Sequence, residues 1–229
     1  SRTAVFGAIS PLALPNGDFL VSMTIDVKDQ GESDMCTAFA TTAASEDQEA
    51  VILDPYFAFY ATKVLELKDP DSWGADLRSA CKAHVDHGCL EEEYAPFNAS
   101  GISRDMVLDP KVWTEDHMAL AYEHRKNSFF NVLKGSPLDT FDTIRGALWQ
   151  NRNKMASVVT GARWRGEWTD AAGGVIEDKE YGEGGTPHAF VLKGQKIIDG
   201  TPRLVAQLSN GTEIGDKGIF YFPRSVVNK

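Results

Sequence analysis

The chain has 229 residues, of which 42% are hydrophobic and 24% charged, and this globular composition excludes a disordered or fibrous protein. Acidic residues outnumber basic ones by 33 to 23. The resulting net charge of −10 repels phosphate, which argues against nucleic acid or an anionic membrane as a partner. No apolar stretch approaches the roughly 20 residues that a membrane-spanning helix needs.

The first 25 residues contain closely spaced turn formers and predict an irregular arm or an edge strand. Helix formers at helical spacing then predict helices over about 33–50, from the Asp54-Pro55 pair onward, from Asp76 to a stop at Gly88, and over about 114–126 and 139–150. Short runs rich in Val, Ile and Phe, separated by turn residues, predict strands at 155–159, 188–192, 196–198, 204–208 and 218–222. Helices therefore precede strands, which indicates an α+β fold with an antiparallel sheet.

Cys36 is the first candidate for chemistry, because it follows a polar loop and stands at the start of an Ala-rich predicted helix. The positive end of the helix dipole favours the nucleophilic thiolate at that position. Gln30, six residues upstream, could direct its amide to the carbonyl that Cys36 attacks and form an oxyanion hole with the Cys36 backbone N–H. The alternative is a buried structural cysteine, since free cysteine is among the most buried residue types.

At this point the sequence resembles the papain-like cysteine proteases. The segments that carry the resemblance follow that family's order from about residue 25 to residue 223: 27–31 and 36–40 around the nucleophile, 53–60 in the second helix, 86–97, 139–148, 173–176, 185–190 around the histidine, and 215–222 in the closing strand. The resemblance implies one papain-like unit over 1–229 with two lobes and an active-site cleft between them. The helical lobe would span about 27–125, and an antiparallel, β-barrel-like lobe would span about 126–229 together with the N-terminal arm.

Carried over by position, the resemblance implies Cys36 as nucleophile, His188 as its base and Gln30 as oxyanion-hole donor. A Cys–His pair can exist as thiolate and imidazolium, which provides a nucleophile at neutral pH and then an acid for the leaving amine. The predicted function is hydrolysis of peptide bonds in a polypeptide substrate, by a monomer without metal or cofactor.

The sequence departs from the family at the residue that orients the imidazole. The family's Asn-Ser-Trp-Gly segment reads Leu208-Ser209-Asn210-Gly211 here, and leucine cannot form the hydrogen bond. Asp199, Gln207 and Asn210 are the candidates to replace the missing asparagine. The family's tryptophan after the nucleophile is Thr37.

The cysteine content argues against the family's usual disulfide and favours a reducing compartment. The family's disulfide cysteine just before the nucleophile is Ser33 in this chain. The odd number of cysteines, three, leaves at least one free thiol and favours the cytoplasm or another reducing compartment.

Two further sets of residues leave alternatives. The spacing of four residues could suggest a zinc site: Cys81, His84, His87 and Cys89. The predicted helix end at Gly88, however, separates Cys89 from the other three. The four histidines outside the proposed site are interpreted as surface residues: His84, His87, His117 and His124. Trp164 and Trp168 fall in a predicted loop and could line a peptide cleft or cover the β-rich lobe.

The departures keep other functions open beside the peptidase. A catalytically impaired papain-fold protein that acts as a binding or structural module is the main alternative. Acyl or amide transfer on the same Cys–His pair is a third hypothesis.

Overall fold

The computed structural model describes residues 14–21, 26–67, 70–72, 74–97, 102–129, 131–132 and 139–228. Much of the predicted N-terminal arm, residues 1–13 and 22–25, lies outside these described residues. Over the described part of the chain, no helix has the length and apolar character that crossing a membrane requires.

Helices dominate the first half of the chain, as predicted. This half contains α1 (Cys36–Glu49), α2 (Pro55–Tyr60, continued by a π-helical segment Ala61–Glu66), α3 (Leu77–Asp86), α4 (Arg104–Leu108) and α5 (Glu115–Glu123). The second half adds α6 (Thr140–Asn151), α7 (Gly166–Thr169) and α8 (Arg224–Val227). The carboxylate of Asp54 accepts hydrogen bonds from two amides at the start of α2, and Pro55 takes the first helical position. The chain leaves α3 at Gly88, where φ is +80° and a Cβ would lie 1.8 Å from the carbonyl oxygen of Ala121. Only glycine fits there, which confirms the predicted stop.

The second half forms one antiparallel sheet. Its strands are β1 (Phe19–Leu20), β2 (Val158–Trp164), β3 (Thr186–Ile198), β4 (Thr201–Gln207) and β5 (Ile219–Phe222). The long strand β3 pairs with β2 along its first part and with β1 near its end, while β4 and then β5 follow on its other edge. The α+β class is confirmed. The barrel-like closure is wrong, because β2 and β5 lie at opposite edges and the sheet stays open.

Buried apolar side chains of the described residues form two large clusters and a small third one around Val205, Ile219 and Tyr221. One large cluster lies among helices α1–α5 and includes Met35, Phe57 and Trp113. The other packs α6 and the aromatic residues of the β-rich half against one face of the sheet. Helix α1 lies against β3, so the nucleophile helix is held between the helical half and the sheet.

His84 is buried, which corrects its interpretation as a surface residue. Its side chain is on the face of α3 that packs on α1, and Nδ1 lies 3.1 Å from Oγ of Ser45. Burial lowers the pKa of His84 to about 4. The ring is therefore neutral in the folded protein at pH values where the unfolded chain binds a proton.

We expect this histidine to make folding sensitive to acid. Stability is lost as the pH falls from about 6.5, where the unfolded chain begins to bind the proton, and the loss is complete near pH 4. Since one pKa unit corresponds to about 1.4 kcal/mol, the loss is about 3 kcal/mol. Denaturant unfolding at several pH values should show a flatter pH dependence for His84→Gln than for the parent protein. Equal slopes between pH 4 and 6.5 would contradict this assignment.

Candidate active site

Cys36 is the first residue of α1, three positions later than the predicted start at about residue 33. The N-cap residue is Met35, which provides no side-chain hydrogen bond. The carboxylate of Asp34 instead accepts from the amide of Gly74. The thiol of Cys36 is free and partly exposed, at a helix start whose first amides are not capped by a side chain.

Gln30 joins the loop before Cys36 to the segment after β4. Its backbone amide donates to the carbonyl of Ser209 at 2.7 Å, and its side-chain oxygen accepts from Oγ of Ser209 at 2.6 Å. Its Nε2 donates to the carbonyl of Ser33 at 2.7 Å. The side-chain amide is thus fixed at both ends, with one of its two N–H groups bound inside the loop.

His188 lies near the start of β3, opposite Ala162 of β2. Burial lowers the pKa of its imidazole, and a hydrogen bond with the Asn210 side chain partly opposes that shift. Nε2 of the ring is buried and has no hydrogen-bond partner among the described residues. The indole of Trp164 packs edge-to-face on the imidazole, with the ring centres 5.9 Å apart.

Of the three candidates for orienting the ring, Asn210 is the one that the structure brings to His188. Asp199 occupies the tight turn between β3 and β4, at the other end of β3. A strand rises about 3.3 Å per residue, so Asp199 follows His188 by roughly 35 Å along the path of β3.

Gln207 projects from the other face of the sheet. It lies opposite Val191, and alternation along β3 places that pair on the face away from His188. Gln207 lines a small cavity against α1.

The residue at the family's asparagine position, Leu208, is part of the hydrophobic core of the β-rich half and is 3% exposed. Its side chain packs in the cluster that contains Phe190 and Phe220. Leu208 therefore has a structural role, and the polar contact with the imidazole comes from two residues further along.

The two halves of the chain meet beside His188. A Cβ on Gly161 of β2 would lie 3.4 Å from the carbonyl oxygen of His188 and 3.8 Å from Cδ1 of Leu77, the first residue of α3. Thr37, next to the candidate nucleophile, donates from Oγ1 to the carbonyl of Ala75, directly before α3. The start of α3 is thus linked to both the Cys36 segment and the strand next to His188.

Trp164 lies on a strand and not in a loop, which was not predicted. Strand β2 extends to Trp164, whereas the predicted strand ended at residue 159 and left the tryptophan in a loop. Alternation along 158–164 was the available signal, because Val158, Ala162 and Trp164 all pack into the second cluster. Val159 and Thr160 obscured that pattern, because an apolar residue stands at an outward position and a polar one at an inward position.

The chain is similar in structure to several solved cysteine proteases. Xylellain, a cysteine protease from Xylella fastidiosa, matches at a TM-score of 0.77 and 18% identity, over 100% of this chain and 87% of that chain. Procathepsin B S9 from Trypanosoma congolense matches at 0.68 and 12%, over 99% and 80%. The bromelain protease from Ananas comosus, solved with the E64 inhibitor, matches at 0.67 and 13%, over 93% and 91%. No family model and no curated protein matches the sequence.

The chain therefore has the papain-like fold, with helices followed by an open antiparallel sheet. The resemblance to papain-like cysteine proteases is confirmed at the level of the fold.

Proposed function

We propose that this protein is a papain-type cysteine peptidase, active as a monomer on polypeptide substrates. Cys36 is the nucleophile, His188 its proton partner and Asn210 the residue that orients the imidazole. Gln30 supplies the oxyanion-hole donor through the N–H of Nε2 that Ser33 does not bind, together with the backbone N–H of Cys36.

In this mechanism the proton of Cys36 moves to His188, and the thiolate attacks the carbonyl carbon of a peptide bond. The oxyanion that forms is held by the amide groups of Gln30 and Cys36. The imidazolium then protonates the leaving amine, and an acyl-enzyme remains on the sulfur. Water, deprotonated by the neutral imidazole, hydrolyses the thioester and restores the free thiol.

The observation that carries the proposal is the position of the Ser209-Asn210 segment, which contacts the Gln30 loop and also lies next to the His188 side chain. The Ser209-Asn210 segment is bound to the Gln30 loop by the two hydrogen bonds between Ser209 and Gln30 and by backbone β-bridge pairing of Asp29 with Asn210. One short segment thus contacts the proposed base and the proposed oxyanion donor, and the Gln30 loop leads directly to Cys36. This is an amide-oriented Cys–His site in which Asn210 replaces the residue missing at Leu208.

The alternative, a catalytically impaired papain-fold binding module, also has specific observations in its favour. Among the described residues no hydrogen bond joins Cys36 to His188. Burial favours the neutral form of His188, which opposes a thiolate–imidazolium pair. The amide nitrogen of Gln30 is already bound to Ser33.

Labelling of the folded protein at pH 6 with iodoacetamide and with an epoxide thiol-protease probe, read by mass spectrometry, separates the two functions. We expect Cys36 to react far faster than the other two thiols, because burial raises the pKa of Cys89 and, with the nearby charge of Asp76, raises that of Cys81 to about 11. His188→Gln should slow the reaction of Cys36 and leave the other two unchanged.

Cys36→Ala is the matched control for hydrolysis of a denatured protein substrate. The peptidase function would be contradicted if Cys36 were labelled slowly at pH 6, if His188→Gln did not change that rate, and if no substrate were hydrolysed. That combination of results would favour the binding module.

A further inference from the structure

The side chain of Trp164 is a fixed neighbour of the proposed catalytic histidine. Antiparallel pairing places Ala162 opposite His188 and Trp164 two residues further along β2, so both side chains project from the same face of the sheet. The indole and the imidazole meet at an interplanar angle of 62°, an edge-to-face contact of the kind that aromatic pairs favour.

The indole itself has little freedom to move. Its Nε1 donates to Oγ1 of Thr169 at 3.0 Å. Phe220 and Trp168 pack on it edge-to-face, with ring centres 5.0 and 5.4 Å away. A side chain held by a hydrogen bond and by rings on several sides is a rigid support for whatever it contacts.

We propose that Trp164 is a positioning residue for His188, whose indole fixes the plane of the imidazole and keeps water away from it while Asn210 supplies the polar contact. This rests on the proposed function in so far as the ring is catalytic. A histidine that must face a sulfur and hold one tautomer needs both a polar partner and an apolar neighbour that excludes water. Here the apolar neighbour comes from β2 and the polar partner from the segment after β4.

The charged side chains beside Trp164 and Asn210 are bound to backbone groups rather than to the His188 imidazole. Arg163 and Arg165, on either side of Trp164, donate to the backbone carbonyls of Gly185 and Gly182. Asp29, beside Asn210, accepts from the amide of Gly31. Burial is the largest influence on the protonation of His188, and Trp164 is part of what buries it.

The test is an NMR titration of His188 in a Cys36→Ala background, with the signal assigned by its loss in His188→Gln. Trp164→Leu should admit water and raise the pKa of His188 toward its ordinary value of 6.5, whereas Trp164→Phe should keep most of the lowering. Phe141→Leu is the matched control, because Phe141 is buried in the same cluster and, among the described residues, makes no ring contact with Trp164 or His188. It should destabilise the protein and leave the titration unchanged.

With Cys36 present, Trp164→Leu should slow epoxide labelling about 10-fold or more and shift its alkaline limb to higher pH, and Trp164→Phe should restore most of the rate. If Trp164→Leu does not fold, Thr169→Val, which removes only the acceptor of the indole N–H, should change the same two measurements in the same direction. An unchanged titration in every folded Trp164 and Thr169 variant, or an equal shift in Phe141→Leu, would overturn the proposal. Because the titration uses a protein without the thiol, its result is independent of whether Cys36 proves reactive.

Discussion

Replacing Asn210 with leucine should slow labelling of Cys36 by an epoxide thiol-protease probe by roughly 10- to 1,000-fold, below the loss of about 10⁴ seen when a carboxylate that orients a catalytic histidine is removed. The reason is that Cys36 and His188 stay in place while the imidazole loses the side chain that holds its tautomer and rotamer. Asn210 is itself partly exposed, so leucine at this position buries no new polar group, and the group that loses its polar neighbour is the His188 imidazole.

The same substitution has a pH signature whose sign follows from the hydrogen bond. The Asn210 contact raises the pKa of His188, so its loss lowers that pKa further below the ordinary value. Opening an epoxide needs a proton donor, and the labelling rate therefore falls where the imidazolium loses its proton. We expect the alkaline limb to move to lower pH in Asn210→Leu and to higher pH in Asn210→Asp, where a carboxylate faces the imidazolium.

Two neighbouring substitutions serve as controls. Gln207→Leu changes the residue on the other face of β4, and labelling should stay within about threefold of the parent protein, because its side chain faces α1. Leu208→Asn restores the family's residue by position, but it buries an amide in an apolar core and should cost about 1–3 kcal/mol of stability without a gain in rate. Rapid labelling in Asn210→Leu together with a loss in Gln207→Leu would assign the orienting role to Gln207 instead.

The local features of the fold were predictable because short stretches of sequence decide them. Asp54-Pro55 begins a helix through a carboxylate cap and a proline whose missing N–H has no helical partner. Gly88 ends one because a side chain there would meet the carbonyl of Ala121. Cys36 and His188 could be chosen because the order of the motifs along the chain matched a known family.

Features that depend on contacts distant in sequence were not predictable. Three residues within a few positions of one another, Gln207, Leu208 and Asn210, differ in role because of the face of the sheet and the loop geometry, which spacing alone does not fix. His84 was interpreted as exposed because its sequence neighbours are polar, yet its helix face packs on α1. The open sheet depends on which strand edges meet, and no local pattern gives that information.

A buried ion pair between α1 and β3 is the other long-range feature. Nζ of Lys193 lies 2.7 Å from Oδ1 of Asp47, both side chains are 2% exposed, and Oγ of Ser157, just before β2, donates to the second carboxylate oxygen. The register of β3 shifts between Leu192 and Gly194, so Lys193 stands at a β-bulge, which frees it from strict alternation. The pair thus links the helix that begins at Cys36 to the strand that carries His188.

Removing one partner should be among the most damaging changes in the chain. Lys193→Met leaves the Asp47 carboxylate buried with only the Ser157 hydroxyl, and Asp47→Leu leaves a buried ammonium group, so each should cost about 3–5 kcal/mol in denaturant unfolding. Lys179→Met, in the exposed pair of Lys179 and Glu177, is the control and should cost no more than about 1 kcal/mol.

The double variant Asp47→Leu/Lys193→Met should recover most of that loss. Burial raises the pKa of Asp47, and neither Lys193 nor Ser157 reverses the shift, so the pair does not fully offset the desolvation of its carboxylate. Apolar side chains in the same space remove that penalty together with the attraction. Losses that simply add in the double variant would contradict this account, because two partners of one buried pair must couple strongly. If the double variant is stable but Cys36 reacts more slowly with the probe, the ion pair acts on the relative placement of α1 and β3 as well as on stability.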